Sequence, residues 1–269
     1  MIMKATRRLA VLLLALSLLI TSLASCDMLG SGDKLDGEKI MRDAEAALDV
    51  TPYTATVSTI MSSKDSEFQD KVDSISGSVA TISFDEDDFK LRSEVVVDDI
   101  SIVTICTAID GRIYVERTAS VGEVSATEKR SASIKADEVD ALLTELGAGA
   151  AISYDDFTVF MAEGTEDDAT VSCTEPKEGV LSDAEAVLAS SFGDDASLML
   201  KDLYLLASVE GGKITTSTLT YVFTLGMGTE MFTVHASVIT EYSYGNTVII
   251  SAPLDADEYK TVSLENLFG

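Results

Sequence analysis

Residues 200–251 read LKDLYLLASVE, GG, KITTSTLTYVFTL, GMG, TEMFTVHASVITEYSY, GN and TVIIS, four strand-like runs separated by glycine-containing turns. In the second run Leu219, Tyr221, Phe223 and Leu225 recur at every other position, as do Phe232, Val234, Ala236 and Val238 in the third. Alternate positions of a strand share a face, so each run carries one apolar face. Glycines between such runs supply the positive φ angles of tight connections. The stretch therefore predicts an antiparallel meander of four strands, ended by Pro253.

The same period of two appears upstream. Tyr53, Ala55, Val57, Thr59 and Met61 alternate with more polar residues, and Phe89, Leu91, Ser93, Val95 and Val97 do so again. Asp110-Gly111 between Ile100–Ile109 and Arg112–Arg117 predicts a two-residue hairpin. Further strands are expected at Glu123–Ile134, Ser153–Ala162 and Ala169–Glu175, the last two joined by the acidic turn Glu163–Asp168. Three segments break this pattern with helical spacing. Ile40, Met41, Ala44, Ala47 and Leu48 share one helical face before Pro52, and Val139, Leu142, Leu143 and Leu146 share another before Gly147. Ser182 and Glu185 have the spacing of a capping box for a third helix that Gly193 would close. The fold class is thus α+β: a strongly bent antiparallel sheet of nine or ten strands with about three helices.

Ahead of this domain, Lys4, Arg7 and Arg8 precede the apolar run Leu9–Ile20, and Leu23-Ala24-Ser25-Cys26 follows it. The run has the length of a signal-peptide core, although the uncharged stretch Leu9–Met28 is also about long enough to span a bilayer. Leu23, Ala24, Ser25 and Cys26 resemble a bacterial lipobox. That resemblance implies cleavage before Cys26, with Leu23, Ala24 and Ser25 as the signal peptidase recognition residues, and a diacylglycerol, often with a further acyl chain such as palmitate, on Cys26. The alternatives are an ordinary cleaved signal or a transmembrane anchor. On the lipobox reading, residues 1–25 are removed, 26–36 form a lipidated tether, and 37–269 form a single β-rich domain with two possible structural halves.

Loss of residues 1–25 removes three cations and no acids, leaving 16 Lys and Arg against 46 Asp and Glu, a net charge of −30. Such a chain is repelled by phosphate backbones and anionic headgroups, which argues against nucleic acid and leaves the lipid to hold the protein at a membrane. Trp is absent and aromatic residues make up 6% of the chain, which disfavours stacking platforms for sugars.

Catalytic and metal motifs are sparse. His235 is the one histidine and lies, by alternation, on the polar face with Thr233 and Ser237. No Gly-x-Ser-x-Gly elbow, phosphate-binding glycine-lysine loop or Cys-x-x-Cys pair occurs. No cofactor or metal is expected. The acidic runs 85–88, 98–99, 166–168 and 194–195 lack the alternating carboxylates of a calcium loop and read as solvated turns. A carboxylate pair suited to glycoside hydrolysis remains a minor alternative. Cys106 and Cys173 fall in strand-like segments of an exported chain, where a disulfide is allowed, but two buried thiols are the expectation.

The strand faces carrying Tyr53, Val57, Leu91, Val95, Tyr221, Phe223, Phe232 and Val234 admit two readings. They line an apolar ligand site, or the helices cover them as a closed core. The lipobox, first helix, long antiparallel sheet with midway helices and final strand running into a proline (Thr247–Pro253) together resemble the LolA-like half-barrel lipoproteins, which include mycobacterial lipid carriers. The resemblance covers Gly37–Tyr259. It implies a half-barrel with helices on the concave face, and a membrane-anchored, extracytoplasmic, non-enzymatic protein that binds a lipid or lipopeptide. A structural or interaction module with an envelope protein partner is the alternative.

Overall fold

An acidic cap starts the first helix: the Asp36 carboxylate accepts from the Lys39 backbone N–H at 3.0 Å at the head of α1 (Gly37–Val50). The computed structural model describes residues 35–63, 69, 79–85, 88–97, 100–135, 138, 139, 142, 152–192, 196–227, 230–245 and 248–268. Within them run β1 (Tyr53–Ser63), β2 (Val79–Asp85), β3 (Asp88–Val97), β4 (Ile100–Ile109), β5 (Arg112–Val121) and β6 (Val124–Ser133). Then follow β7 (Phe157–Gly164), β8 (Ala169–Pro176), α2 (Val180–Phe192), β9 (Ala196–Glu210), β10 (Lys213–Met227), β11 (Glu230–Tyr244) and the two-residue β12 (Lys260–Thr261).

All twelve strands join one curved, open sheet in the order β12-β6-β5-β4-β3-β2-β1-β11-β10-β9-β8-β7. Every pairing is antiparallel except β12 with β6. Asp110 and Gly111 both have positive φ, 52° and 70°, as the predicted hairpin requires. Two register shifts between β9 and β10, at Ile214/Thr216 and Val222/Phe223, bend this part of the sheet.

Register puts the apolar set of each strand on one face, where two closed clusters form. The first gathers Ile40, Met41 and Ala44 of α1, Ala184 of α2, Val171 and Cys173 of β8, and Leu203, Phe223 and Val234 of the long strands. The second gathers Val57, Ile82, Phe89, Leu91, Cys106, Ile113 and Val115 under Val139, Leu142 and Leu267. Each fully buried Leu or Phe contributes about 1.5–3 kcal/mol relative to exposure.

Several sequence expectations need correction. Two α-helices are described rather than three. The segment Val139–Leu146 falls mostly outside the described residues, with Val139 and Leu142 helical and buried. α2 starts at Val180, not Ser182, and the Ser182–Glu185 capping box does not form: Ser182 Oγ donates to the Gly179 carbonyl at 2.7 Å, while the Glu185 carboxylate takes the Leu200 N–H at 2.8 Å. A capping box does occur at Ser153–Asp156, so the expected strand Ser153–Ala162 opens with a 3-10 turn and becomes extended only at Phe157. Residues 248–253 are not a strand, so the meander has three strands, while β2 and β12 bring the sheet to twelve.

The two ends of the sheet differ. β7 has one neighbour, β8. At the other end, the C-terminal segment wraps around β6. Tyr259 packs edge-on against Tyr114 at 5.4 Å and donates to Glu116 at 3.2 Å on the outer face. β12 then pairs with Arg130 and Ser131, Arg112 donates to Thr261 Oγ1 at 2.9 Å, and Leu267 ends buried in the second cluster on the inner face. Lys129 pairs with Asp255 and with Glu258, the latter at 2.8 Å, and clamps this strap. The wrap covers amides that an edge strand otherwise offers to other chains.

The Lys129 hydrogen bond holds Asp255 below its ordinary carboxyl range, and the bonds to Asp255 and Glu258 hold Lys129 above its own. A lowered carboxyl contributes stability above its unfolded value and loses it as pH falls through the folded one. A raised ammonium contributes below its unfolded value and loses it as pH rises through the folded one. Lys129→Met is therefore expected to flatten the decline of the urea midpoint between about pH 5 and pH 3; an acid limb equal to that of the unmutated chain would show that the clamp contributes nothing.

Candidate ligand-binding face

α1 sets the geometry of the inner face. Gly37 lies against Phe160, Ala162 and Val171, where a Cβ would come within 3.1 Å of the Phe160 Cβ. Fourteen residues later the helix ends, and Pro52 leads into Tyr53 at the start of β1. The helix thus crosses from β7 and β8 to β1 at one end of the sheet, the end that also carries the β2–β3 turn, Asp110-Gly111 and Gly211-Gly212.

At that end sits an aromatic group. Tyr53 is registered between Phe84 of β2 and Tyr244 of β11. Its ring stacks on Phe84 at 5.8 Å, meets Tyr242 edge-on at 5.5 Å and lies 6.4 Å from Tyr244. All four are half-buried, unlike the closed clusters on either side. Such offset and edge-to-face pairs add about 0.5–1.5 kcal/mol each beyond area burial. The hydroxyls are tied back: Tyr244 donates to the Ile214 carbonyl at 2.7 Å, and Tyr242 is hydrogen-bonded to Ser217. Lys213 Nζ stands 5.1 Å over the Tyr244 ring. Towards the other end, Met61, Tyr221 and Phe232 are again half-buried.

The residues expected to line a site therefore share one face but not one environment. Leu91 and Phe223 have no exposed surface, Val234 has 1% and Val57 9%. These four close the clusters, while Tyr53, Tyr221 and Phe232 present surface. Val95 pairs in register with Ile102. Sequence reasoning missed Phe84, Tyr242 and Tyr244. The same alternation marks them, since each falls two or four residues from an apolar neighbour on its strand. Burial raises the Tyr221 hydroxyl to about 12 and also pushes Tyr242 and Tyr244 up. All three stay neutral near pH 7.

His235 lies exposed on the opposite face, paired in register with Ser62 and Val222. The acidic turn 166–168 has structural partners: the Asp168 carboxylate takes the Gly211 N–H and the Asp167 carbonyl the Gly212 N–H, both at 2.9 Å, while Glu166 lies 3.8 Å from Lys39. The other acidic runs fall partly or wholly outside the described residues, as do Leu23–Cys26. Among the described residues, no group of three or more His, Cys, Asp or Glu is placed to hold a metal ion.

No family model matches the sequence. No curated protein matches it either. Among solved structures the chain is similar to the ywiB protein from Bacillus subtilis, at 11% identity over 73% of this chain and 93% of that one, with a TM-score of 0.22. It is also similar to an N-terminal dehydratase from the difficidin assembly line, at 10% identity, 76% and 82% coverage and a TM-score of 0.12. A dehydratase domain from the CurJ module of curacin polyketide synthase gives 7% identity, 77% and 81% coverage and a TM-score of 0.13. At these TM-scores the likenesses carry no argument about fold or activity.

Cys106 and Cys173 are free buried thiols in different clusters. Burial pushes both up to about 12, with the Glu45 carboxylate adding to the rise at Cys173. A thiol so protonated and covered is a poor nucleophile. Ellman's reagent at about pH 8 is expected to leave both untouched in the folded chain and to titrate both after denaturation; rapid reaction of either in the folded chain would contradict this burial.

Proposed function

We propose that the chain is a lipid-anchored protein on the extracytoplasmic face of the cell membrane, which binds or carries a hydrophobic ligand, a lipid or lipopeptide, on the concave face of its sheet and performs no chemistry on it. The observation that carries the reading is the set of half-buried aromatic side chains, Tyr53, Phe84, Tyr242, Tyr244, Tyr221 and Phe232, at the margins of the two hydrophobic clusters. A finished core would cover these rings; a surface for water alone would not need them. The anchor half of the reading rests on Leu23-Ala24-Ser25-Cys26 and on a net charge that gives the protein no electrostatic hold on a membrane.

Native mass spectrometry of the purified chain is expected to show co-purified hydrophobic mass, reduced in Tyr53→Ala; a clean spectrum from membrane-extracted protein would refute the carrier. For the anchor, Cys26→Ala should abolish metabolic labelling with palmitate, and labelling that survives the substitution would disprove acylation at Cys26.

A further inference from the structure

The geometry points to a second part of the ligand site: an apolar strip on the concave face at the Ile100 end of β4, β5 and β6, headed by Arg117, which holds an amphiphile with a singly charged anionic head, of the chemical class of a fatty acid. The inference rests on the carrier reading and names the class of ligand.

Register defines the strip. The face that buries Cys106 and Val115 in the second cluster continues along the same strands through the row Thr104, Arg117 and Glu128. Beyond that row come Ile102, Ala119 and Ala126, and then Ile100, Val121 and Val124, each trio aligned across the three strands. Val115 is 4% exposed, but six residues on Val121 is 54% exposed, with Ile100 at 43% and Val124 at 75%. From Arg117 to Val121 is about 14 Å of strand, and the three strands are together about 10 Å wide. Aliphatic side chains aligned on neighbouring strands touch one another, so these residues form one patch and not scattered single exposures.

Charge selects the occupant. The chain has 46 Asp and Glu against 19 Lys and Arg, yet the charged group that borders the strip is net positive. Glu128 accepts from Arg130 Nε at 2.9 Å and from Nη2 at 2.6 Å, while Arg130 Nη1 donates to the Asn266 carbonyl at 2.6 Å. Arg117, opposite Glu128 in register and exposed, has no hydrogen bond or ion pair among the described residues. On the neighbouring strands Arg92, Lys129 and Arg130 all pair with carboxylates, so a free guanidinium stands out in this acidic chain. Two guanidiniums against one carboxylate leave one positive charge beside an apolar surface. A guanidinium matches a carboxylate through two parallel hydrogen bonds, and a single net charge suits a monoanionic head better than a dianionic phosphate. Thr104, the other register partner of Arg117, places a hydroxyl on the same row.

Native mass spectrometry of the membrane-extracted full chain, incubated with oleic acid or with methyl oleate, separates the head from the acyl chain. The expected result is a one-to-one oleate complex and binding of the ester weaker by at least about tenfold, the scale of a lost charge-assisted pair. Arg117→Gln should lower oleate binding to the level of the ester and leave ester binding unchanged, Arg117→Lys should restore most of the difference, and Val121→Asn should weaken both. Arg117 and Val121 are exposed, so neither change disturbs a core, and a merely structural arginine would not move the ratio of acid to ester. Undiminished oleate binding by Arg117→Gln or by Val121→Asn, or an ester that binds as well as the acid, would overturn the inference and leave the carrier reading in place. A chain that takes up neither compound but carries other co-purified mass would overturn it in the same way. One that takes up neither and extracts clean would refute the carrier and the inference together.

Discussion

The ladder between β1 and β11 holds the molecule together. Eleven register pairs, from Tyr53↔Tyr244 to Ser63↔Val234, join segments more than 160 residues apart. On one side lie β2 to β6 with the second cluster, on the other β10 to β7 with the first. Breaking this ladder would leave two sheets, each with a helix-covered or strap-covered core and an open edge. Pairing so distant in sequence must repay a loop-closure cost, but that cost grows only logarithmically with loop length. The inner-face contacts along β1 and β11 supply the repayment, since Ala55, Val57, Val234 and Ala236 are all buried there.

The same ladder creates the candidate site. Each cluster is closed by its own cover, α1 and α2 over one and Val139, Leu142 and Leu267 over the other. The rings of Tyr53, Tyr242, Phe84 and Tyr244 at this seam remain half-buried, at the margins of the two clusters. The strap at β6 serves a related end. By passing from the outer face at Tyr259 to the inner face at Leu267, it covers an edge and completes a core with one segment. The opposite edge, β7, has no such device among the described residues.

Much of this was legible from local pattern. The period of two located β1, β3, β10 and β11, and Asp110-Gly111 announced the hairpin of β4 and β5, because alternation and positive φ are properties of a few neighbouring residues. Errors came where a distant partner overrode a local signal. Ser182 and Glu185 had the right spacing for a capping box, yet the Leu200 N–H on β9 claimed the Glu185 carboxylate. Residues 247–250 are all β-branched, but no strand pairs with those of them that are described. In β9 the register shift at Lys201 moves the inward set from Leu198 and Leu200 to Leu203 and Leu205, which strict alternation cannot show.

By itself, the sequence determined an antiparallel, strand-dominated sheet accompanied by helices, the strong acidity, and which faces of the strands are apolar. These follow from composition and short-range periodicity. Only the tertiary structure decided which of those apolar residues are sealed and which remain at a surface. Phe223 and Tyr221 sit two positions apart on one face of β10, yet the first is fully buried and the second only half-buried. The difference lies in how far a helix or strap from elsewhere in the chain extends over each, and cover of that kind is a property of packing that no periodicity encodes.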